Sequence, residues 1–153
     1  FIMCARFESE DAARRNSDRP EQGQWWSETE KYIEGATFHD CIDVTDFLAG
    51  GSDDAGFVQI IQGRAKDRAR MEELGKQFSD QMPKIRPDIV GGYRADHSDG
   101  TFTDVNYFTS EAEAREGEKR ELPGELKESF EEWMSLIENP KYFDLREPWL
   151  HSK

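Results

Sequence analysis

The chain has 153 residues, of which 33 are acidic and 20 are basic, so its formal charge is −13 at neutral pH. This excess of negative charge repels polyanions and excludes a basic nucleic-acid-binding arm. No run approaches the roughly 18 apolar residues of a membrane span, and two cysteines are too few for a disulfide framework. We therefore expect a cytoplasmic globular protein with no nucleic-acid or membrane partner.

The elements predicted in chain order fall into two similar sets. The apolar residues 1–7 favour a strand, Ser9 is a suitable helix N-cap, and a helix interrupted near Pro20 leads to a second strand at residues 36–44. Residues 49–56 are small and polar, which indicates a linker. Beyond this linker, the patterns predict strands at residues 57–64, 89–95, 101–108 and 142–145, with helices at 67–82 and after the N-cap Ser110.

One segment of the chain nearly repeats another. Residues 7–14, FESEDAAR, recur as residues 108–115, FTSEAEAR. A repeated unit of this kind is more informative about the fold than any single motif. We expect an α+β protein with a partial β-α-β repeat at residues 1–48, a linker at 49–56, a complete ferredoxin-like β-α-β-β-α-β repeat at 57–148 and a tail at 149–153.

The element order, with the stretches at residues 57–64, 91–93 and 108–112, resembles the dimeric α/β-barrel superfamily, in particular antibiotic-biosynthesis-monooxygenase-like domains in tandem. The resemblance implies two ferredoxin-like sheets packed face to face, either in a homodimer or in fused repeats. The sheet face away from the helices then lines an internal cavity. An apolar sheet face needs a cover on physical grounds too, and a second similar sheet supplies one. We therefore expect a homodimer or another form of self-association.

The resemblance also implies a chemistry. Some monooxygenase-like members form quinones without a metal or flavin, using Asn, Trp and Tyr or His around the cavity, so no cofactor is expected. The candidate catalytic residues are Asn106 and Tyr107, which would hold and polarise the carbonyl of a phenol- or quinone-type compound. The candidate residues for binding a small apolar or aromatic molecule are Gln59, Gln62, Trp25, Trp26, His39 and Trp133. The scattered His and Cys residues have no metal-site spacing.

These residues also have plainer interpretations. The three Trp side chains lie on amphipathic helices and suit a hydrophobic core. Asn106 in an apolar strand costs free energy unless it is hydrogen-bonded, which favours a place in a pocket. His39 and Asp40 point to opposite faces of one strand and form no local pair. His97 lies in the predicted hairpin turn, where we expect it to be solvated.

Three functions stay open. The first is a monooxygenase-like enzyme acting on an aromatic or quinone-type compound. The second is a non-catalytic stress-related or structural barrel module. The third is a scaffold whose acidic helices bind a basic partner. A roomy cavity with a few polar groups favours the first function, whereas a barrel filled by Phe and Ile side chains favours the second.

Overall fold

A computed structural model describes residues 1–151, apart from the side chain of Ile42. The chain divides into two compact units, Phe1–Phe38 and the part from His39 onward. Within residues 1–151, no helix combines the length and the apolar character that crossing a bilayer requires.

The first unit consists of two short helices and a 3-10 turn: α1 Glu10–Ser17, α2 Pro20–Thr29 and the turn Glu30–Tyr32. As predicted, Ser9 is the N-cap of α1, and its Oγ accepts a hydrogen bond from the backbone N–H of Ala12 at 3.1 Å. The strand predicted at residues 1–7 is wrong, because no described strand pairs with this segment. An apolar run signals burial, but it becomes a strand only when a neighbouring strand supplies the hydrogen bonds.

The second unit is a five-stranded antiparallel sheet with helices inserted between its strands. Its elements are β1 Cys41–Leu48, β2 Phe57–Ala65, α3 Arg68–Ser79, α4 Met82–Ile85, β3 Ile89–His97, β4 Thr101–Phe108, α5 Glu111–Glu118, α6 Gly124–Ser135 and β5 Ile137–Leu145. The strand order is β1-β3-β4-β2-β5, and every neighbouring pair is antiparallel. From β2 to β5 the chain therefore has the predicted α+β, ferredoxin-like order.

Strand β1 extends the ferredoxin-like sheet. It was predicted four to five residues earlier, at 36–44, as the last strand of the partial repeat. In the structure it pairs along β3, from Cys41 opposite His97 to Leu48 opposite Gly91. The sheet thus acquires a fifth strand at the edge formed by β3.

The helices pack against one face of this sheet. Strand periodicity and register place Arg94, Asp104 and Gln59 on that face, together with the apolar core. The buried apolar side chains of the core on this side of the sheet include Phe57, Met71, Leu74, Phe78, Phe102, Phe108, Ala114, Leu126 and Ile137. Arg94 donates to both carboxylate oxygens of Asp104, at 2.7 Å each, and its guanidinium lies 4.1 Å from the ring centroid of Phe102.

Alternate residues of the same strands form the opposite face. Val58 and Ile60 of β2, Tyr93 of β3 and Val105 of β4 are there, each 4% exposed or less. The centre of this face is therefore apolar and buried, and the polar side chains Gln62, Thr103 and His97 lie together towards one end of the strands.

The repeated segments have the same local structure. Ser9 and Ser110 are both extended N-caps of eight-residue helices. The hydroxyl of Ser110 accepts from the backbone N–H of Glu113 at 3.2 Å, as that of Ser9 accepts from Ala12. The recurrence in sequence therefore corresponds to two copies of one helix start.

Candidate functional site

A small cleft opens where the polar end of the sheet meets the β3–β4 hairpin. Its volume is about 260 Å³, and its lining includes His39, Gln62, Arg64, His97 and Lys141. This volume lies just below the range of about 300–1,000 Å³ that is typical of small-molecule sites. We call it the imidazole cleft, because two histidine rings form one wall.

The two imidazoles are stacked. The ring centroids of His39 and His97 are 4.4 Å apart, and the rings are inclined by 19°. His39 is exposed, whereas His97 is 6% exposed. The expectation of a solvated His97 is wrong because β3 continues through this residue, and the period-two alternation places it on the same face as Tyr93 and Ala95.

A chain of hydrogen bonds runs through the His97 ring. Its Nδ1 lies 2.7 Å from Thr101 Oγ1, and its Nε2 lies 3.1 Å from Thr103 Oγ1. The Thr101 hydroxyl donates to Asp99 Oδ1 at 2.6 Å. At the other end, Gln62 Nε2 donates to Thr103 Oγ1 at 3.0 Å. We call these five side chains the hydroxyl relay.

The electrostatic environment favours a neutral imidazole beside an ionised carboxylate. Burial lowers the pKa of His97, and the adjacent His39 lowers it further, against the opposing effects of Asp99 and Asp96. The side-chain and backbone hydrogen bonds from Thr101 lower the pKa of Asp99. At neutral pH, His97 is therefore able to accept a proton, and Asp99 is a hydrogen-bond acceptor only.

Two cationic side chains and one carboxylate complete the cleft. Arg64 and Lys141 both line it, together with Glu138. Arg64 also donates from Nη1 to the backbone carbonyl of Asp99 at 2.7 Å, which ties it to the hairpin. A ligand oxygen that carries negative charge would find complementary groups here.

The structure brings two of the predicted binding residues, His39 and Gln62, into this cleft. Gln59 lies on the opposite, helix-bearing face, where its Nε2 donates to Asp144 Oδ1 at 3.1 Å. It is only three residues from Gln62, and the odd separation places the two side chains on different faces.

The predicted catalytic pair is divided by the sheet. Asn106 shares the face of Gln59 and donates from Nδ2 to the Gln59 carbonyl at 3.4 Å. Tyr107 points to the other face, where its ring centroid is 6.3 Å from that of Tyr93. Because adjacent strand residues alternate, one ligand cannot contact both side chains from the same side of the sheet.

The predicted tryptophans form no part of the lining of the imidazole cleft. Trp25 and Trp26 belong to the first unit, where Trp26 makes an edge contact with Phe38 at a centroid separation of 5.1 Å. Trp133 of α6 packs against the buried cluster of the helix-bearing face, as the plainer interpretation held. Its ring centroid is 5.3 Å from the guanidinium carbon of Arg94.

Sequence reasoning did not identify Asp99, Thr101 and Thr103 as site residues. A usable signal was present, because Thr101 and Thr103 are two apart on one strand and immediately follow the Asp99-Gly100 turn. Alternation places both hydroxyls on one face, and the tight hairpin returns them to His97.

The likeness of this chain to known proteins lies in its fold. No protein-family model and no curated protein sequence matches the chain significantly. Among solved structures, it resembles a proposed monooxygenase from Lactobacillus acidophilus NCFM, with 13% identity, 91% of this chain and 66% of that chain covered, and a TM-score of 0.63. It also resembles a proposed monooxygenase from Fusobacterium nucleatum, with 8% identity, 89% and 64% coverage, and a TM-score of 0.58.

A third likeness is to an anthrone oxidase-like protein, with 7% identity, 96% of this chain and 73% of that chain covered, and a TM-score of 0.58. The chain spans about two thirds of the length of the two proposed monooxygenases. At these identities the likeness concerns the fold, and it confirms the predicted resemblance at that level: the chain has the ferredoxin-like fold of monooxygenase-like proteins.

Proposed function

We propose that the imidazole cleft binds a small planar aromatic compound, and that the protein oxidises a phenol- or quinone-type compound with dioxygen and no bound cofactor. The observation that carries this proposal is the stacked pair of His39 and His97 joined to the hydroxyl relay. The pair offers an aromatic surface next to a buried, neutral proton acceptor. Flat rings stack on such a surface, and a phenolic proton has a base to receive it.

The proposed chemistry begins with removal of a proton from the substrate. An imidazole that takes this proton leaves an electron-rich anion, which Arg64 and Lys141 are placed to stabilise. Dioxygen then oxidises the ring. For anthrone as the substrate, one oxygen atom enters the product anthraquinone and the other leaves as water, so one dioxygen balances the reaction.

Anthrone is a suitable probe because one structure of the same fold is named for an anthrone oxidase-like protein. We expect saturable binding of anthraquinone, followed by its absorbance, and dioxygen uptake when anthrone is added. His39→Ala should weaken binding about tenfold, since it removes half of the stacked pair. The absence of both binding and dioxygen uptake in the wild-type protein would overturn the proposal.

A matched pair of variants locates the site. Gln62→Leu removes an amide that lines the cleft, whereas Gln59→Leu removes the same amide from the helix-bearing face of the same strand. We expect only Gln62→Leu to weaken binding. If Gln59→Leu alone does so, the ligand instead occupies the face of Asn106, and the imidazole cleft is not the site.

The non-catalytic alternative has one observation in its favour. The centre of the sheet face that carries the cleft is filled by Val58, Ile60 and Val105, each 3% exposed or less. Burial of these three side chains leaves no exposed apolar surface at their positions for a ligand to contact. A structural module would bind no probe, and its variants in the cleft would alter stability alone.

Self-association is part of the proposal. Strands β1 and β5 lie at the two edges of the sheet, and their side chains Val44 and Tyr142 are 42% and 49% exposed. These exposed apolar side chains are able to contact a second copy. Native mass spectrometry across a concentration series tests this directly, and a monomer at every concentration would contradict it.

A further inference from the structure

We propose that Asp99, acting through Thr101, holds His97 as its Nδ1–H tautomer, so that Nε2 is the proton acceptor of the imidazole cleft. Asp99 and Thr101 are then positioning residues. The tautomer follows from the hydrogen bonds of the hydroxyl relay alone, whereas the use of Nε2 on a ligand rests on the proposed function.

Asp99 sets the direction of hydrogen-bond donation along the relay. An ionised carboxylate has no proton to give, so the 2.6 Å contact between Thr101 Oγ1 and Asp99 Oδ1 uses the single hydrogen of the Thr101 hydroxyl. The backbone N–H of Thr101 donates to the same carboxylate oxygen at 2.9 Å, which fixes the turn around it. The Thr101 hydroxyl can therefore only accept from the imidazole.

The second step fixes the ring. Because Thr101 Oγ1 accepts at 2.7 Å, the proton of a neutral His97 resides on Nδ1. Nε2 then carries a lone pair, and the contact at 3.1 Å requires the Thr103 hydroxyl to donate to it. Free histidine prefers the opposite tautomer, so the protein selects this one.

The third step continues to Gln62. With its hydrogen committed to His97, Thr103 Oγ1 must accept from its other neighbour. The Gln62 amide presents Nε2 at 3.0 Å, as this requires. The relay is therefore consistent along its whole length, since every hydroxyl donates once towards a defined acceptor and every contact has one hydrogen.

This polarity defines a route for a proton. The hydrogen of Thr103 moves to His97 Nε2 while Thr103 accepts a proton from a ligand hydroxyl bound at its second lone pair, beside the Gln62 amide. One ligand O–H bond breaks, one imidazole N–H bond forms, and Thr103 is regenerated. The resulting imidazolium donates from Nδ1 through Thr101 towards the Asp99 carboxylate, which stabilises its charge as in other carboxylate-oriented histidine bases.

The test is a two-bond hydrogen–nitrogen correlation spectrum of the imidazoles in the ¹⁵N-labelled full chain at neutral pH. The chain has three histidines, and His97→Gln assigns the relevant signals. We expect a protonated Nδ1 and an unprotonated Nε2 for His97 in the protein without ligand. An Nε2–H tautomer in the wild-type protein overturns the proposal whatever the protein binds.

Three variants then identify the cause. Thr101→Val, which keeps the shape and removes the hydroxyl, should shift His97 to the Nε2–H form, and Thr101→Ser should restore Nδ1–H. In the Asp99→Ala variant, which keeps Thr101, His97 should lose its preference for the Nδ1–H tautomer. If Thr101→Val fails to fold, Asp99→Ala and Thr101→Ser decide the matter, and retention of Nδ1–H in Asp99→Ala overturns the relay.

The role of Nε2 as acceptor has a separate readout. In anthrone oxidation, Thr101→Val should lower kcat at least about tenfold with little change in KM, since Nε2 is then protonated while valine keeps the shape of the cleft lining. Thr101→Ser should recover the rate. If the wild-type protein has the Nδ1–H tautomer but does not bind anthrone, the proposed function is refuted and the assignment of the tautomer is unaffected. Normal oxidation by Thr101→Val refutes the acceptor role.

Discussion

The ring of Phe47 lies against Gly92 so closely that a methyl group on this glycine would come within 2.0 Å of Phe47 Cζ. The two residues face each other in the β1–β3 register. Beside them, a methyl group on Gly91 would come within 2.2 Å of the Gly50 carbonyl oxygen. The two glycines of β3 thus leave room for the Phe47 ring and for the chain that follows β1, so that β1 pairs closely along β3.

The close approach predicts that Gly92→Ala destabilises the protein by about 2 kcal/mol, since overpacking forces Phe47 or the strand to move. Urea unfolding measures this loss, and hydrogen exchange should show faster opening of β1 than of β4. Gly75→Ala on α3 is the control, because the added methyl group meets no atom within 4 Å beyond its chain neighbours and the backbone of its own helix. It should leave stability unchanged or raise it by up to about 1 kcal/mol. Equal effects of the two variants would contradict the role of the contact.

The Arg94–Asp104 pair predicts a large cost for removing one partner. Burial raises the pKa of Asp104, against the opposing effect of the Arg94 guanidinium. Asp104→Asn would leave Arg94 buried without its counter-charge, so we expect a loss of about 3 kcal/mol in the free energy of unfolding. Glu131→Gln disrupts the exposed pair with Lys127 and should cost less than about 0.5 kcal/mol. A small effect of Asp104→Asn would mean that the core accepts an unpaired guanidinium.

The lowered pKa of His97 predicts a dependence of stability on pH. The unfolded chain binds a proton at this residue near its ordinary pKa of about 6.5, whereas the folded protein does so only at lower pH. Stability should therefore fall as the pH decreases from about 7.5 through 6.5, and this loss ends below the folded pKa. Measuring the free energy of unfolding between pH 5 and 8 tests the slope.

The control for this prediction is a comparison of two histidine variants. His97→Gln should flatten the slope, whereas His151→Gln, in the exposed tail, should leave it unchanged. The charged groups around His97 are Asp96, which pairs with Arg68, and Asp99, besides the titratable ring of His39. Both carboxylates favour the imidazolium, so a slope of opposite sign would show that they outweigh burial.

The helix cap of the repeated segment predicts a moderate effect. Ser110→Ala removes the acceptor for the Glu113 N–H and should cost about 1 kcal/mol. Ser110→Asp supplies another acceptor at the helix N-terminus and should retain most of the stability. Thermal unfolding of the wild-type protein and both variants measures the difference. Identical midpoints for the wild-type protein and the Ser110→Ala variant would refute a stabilising cap.

The fold from residue 57 to 145 could be predicted because local signals and the global arrangement agree there. Apolar alternation marks the strands, Ser110 marks a helix start, and Asp99-Gly100 marks the hairpin. The structure of residues 1–7 and the position of β1 could not be predicted, because pairing of a segment depends on a strand that is distant in sequence. The glycines of β3 allow another segment to approach this strand closely, but they do not determine which segment does so.

The candidate site was predictable only in part. His39 and Gln62 were identified as polar or aromatic groups on strands, and the structure places both in the cleft. Asn106 and Tyr107 were predicted to act together on one carbonyl, although they are adjacent in a strand and alternation places them on opposite faces. The hydroxyl relay depends on the exact end of β3 at His97, and strand boundaries are the least certain part of any sequence pattern.

The sequence of strand β5 affects whether another copy of the chain can pair with this edge of the sheet. Within the described residues it pairs only with β2, and it contains Asn139, with φ of 50°, followed by Pro140. The register with β2 shifts at this point, and proline offers no N–H to an incoming chain. Lys141 adds a charge at the same place. We therefore expect these three residues to disfavour open-ended growth of β-fibrils from this edge, while contacts through side chains alone remain open to a second copy.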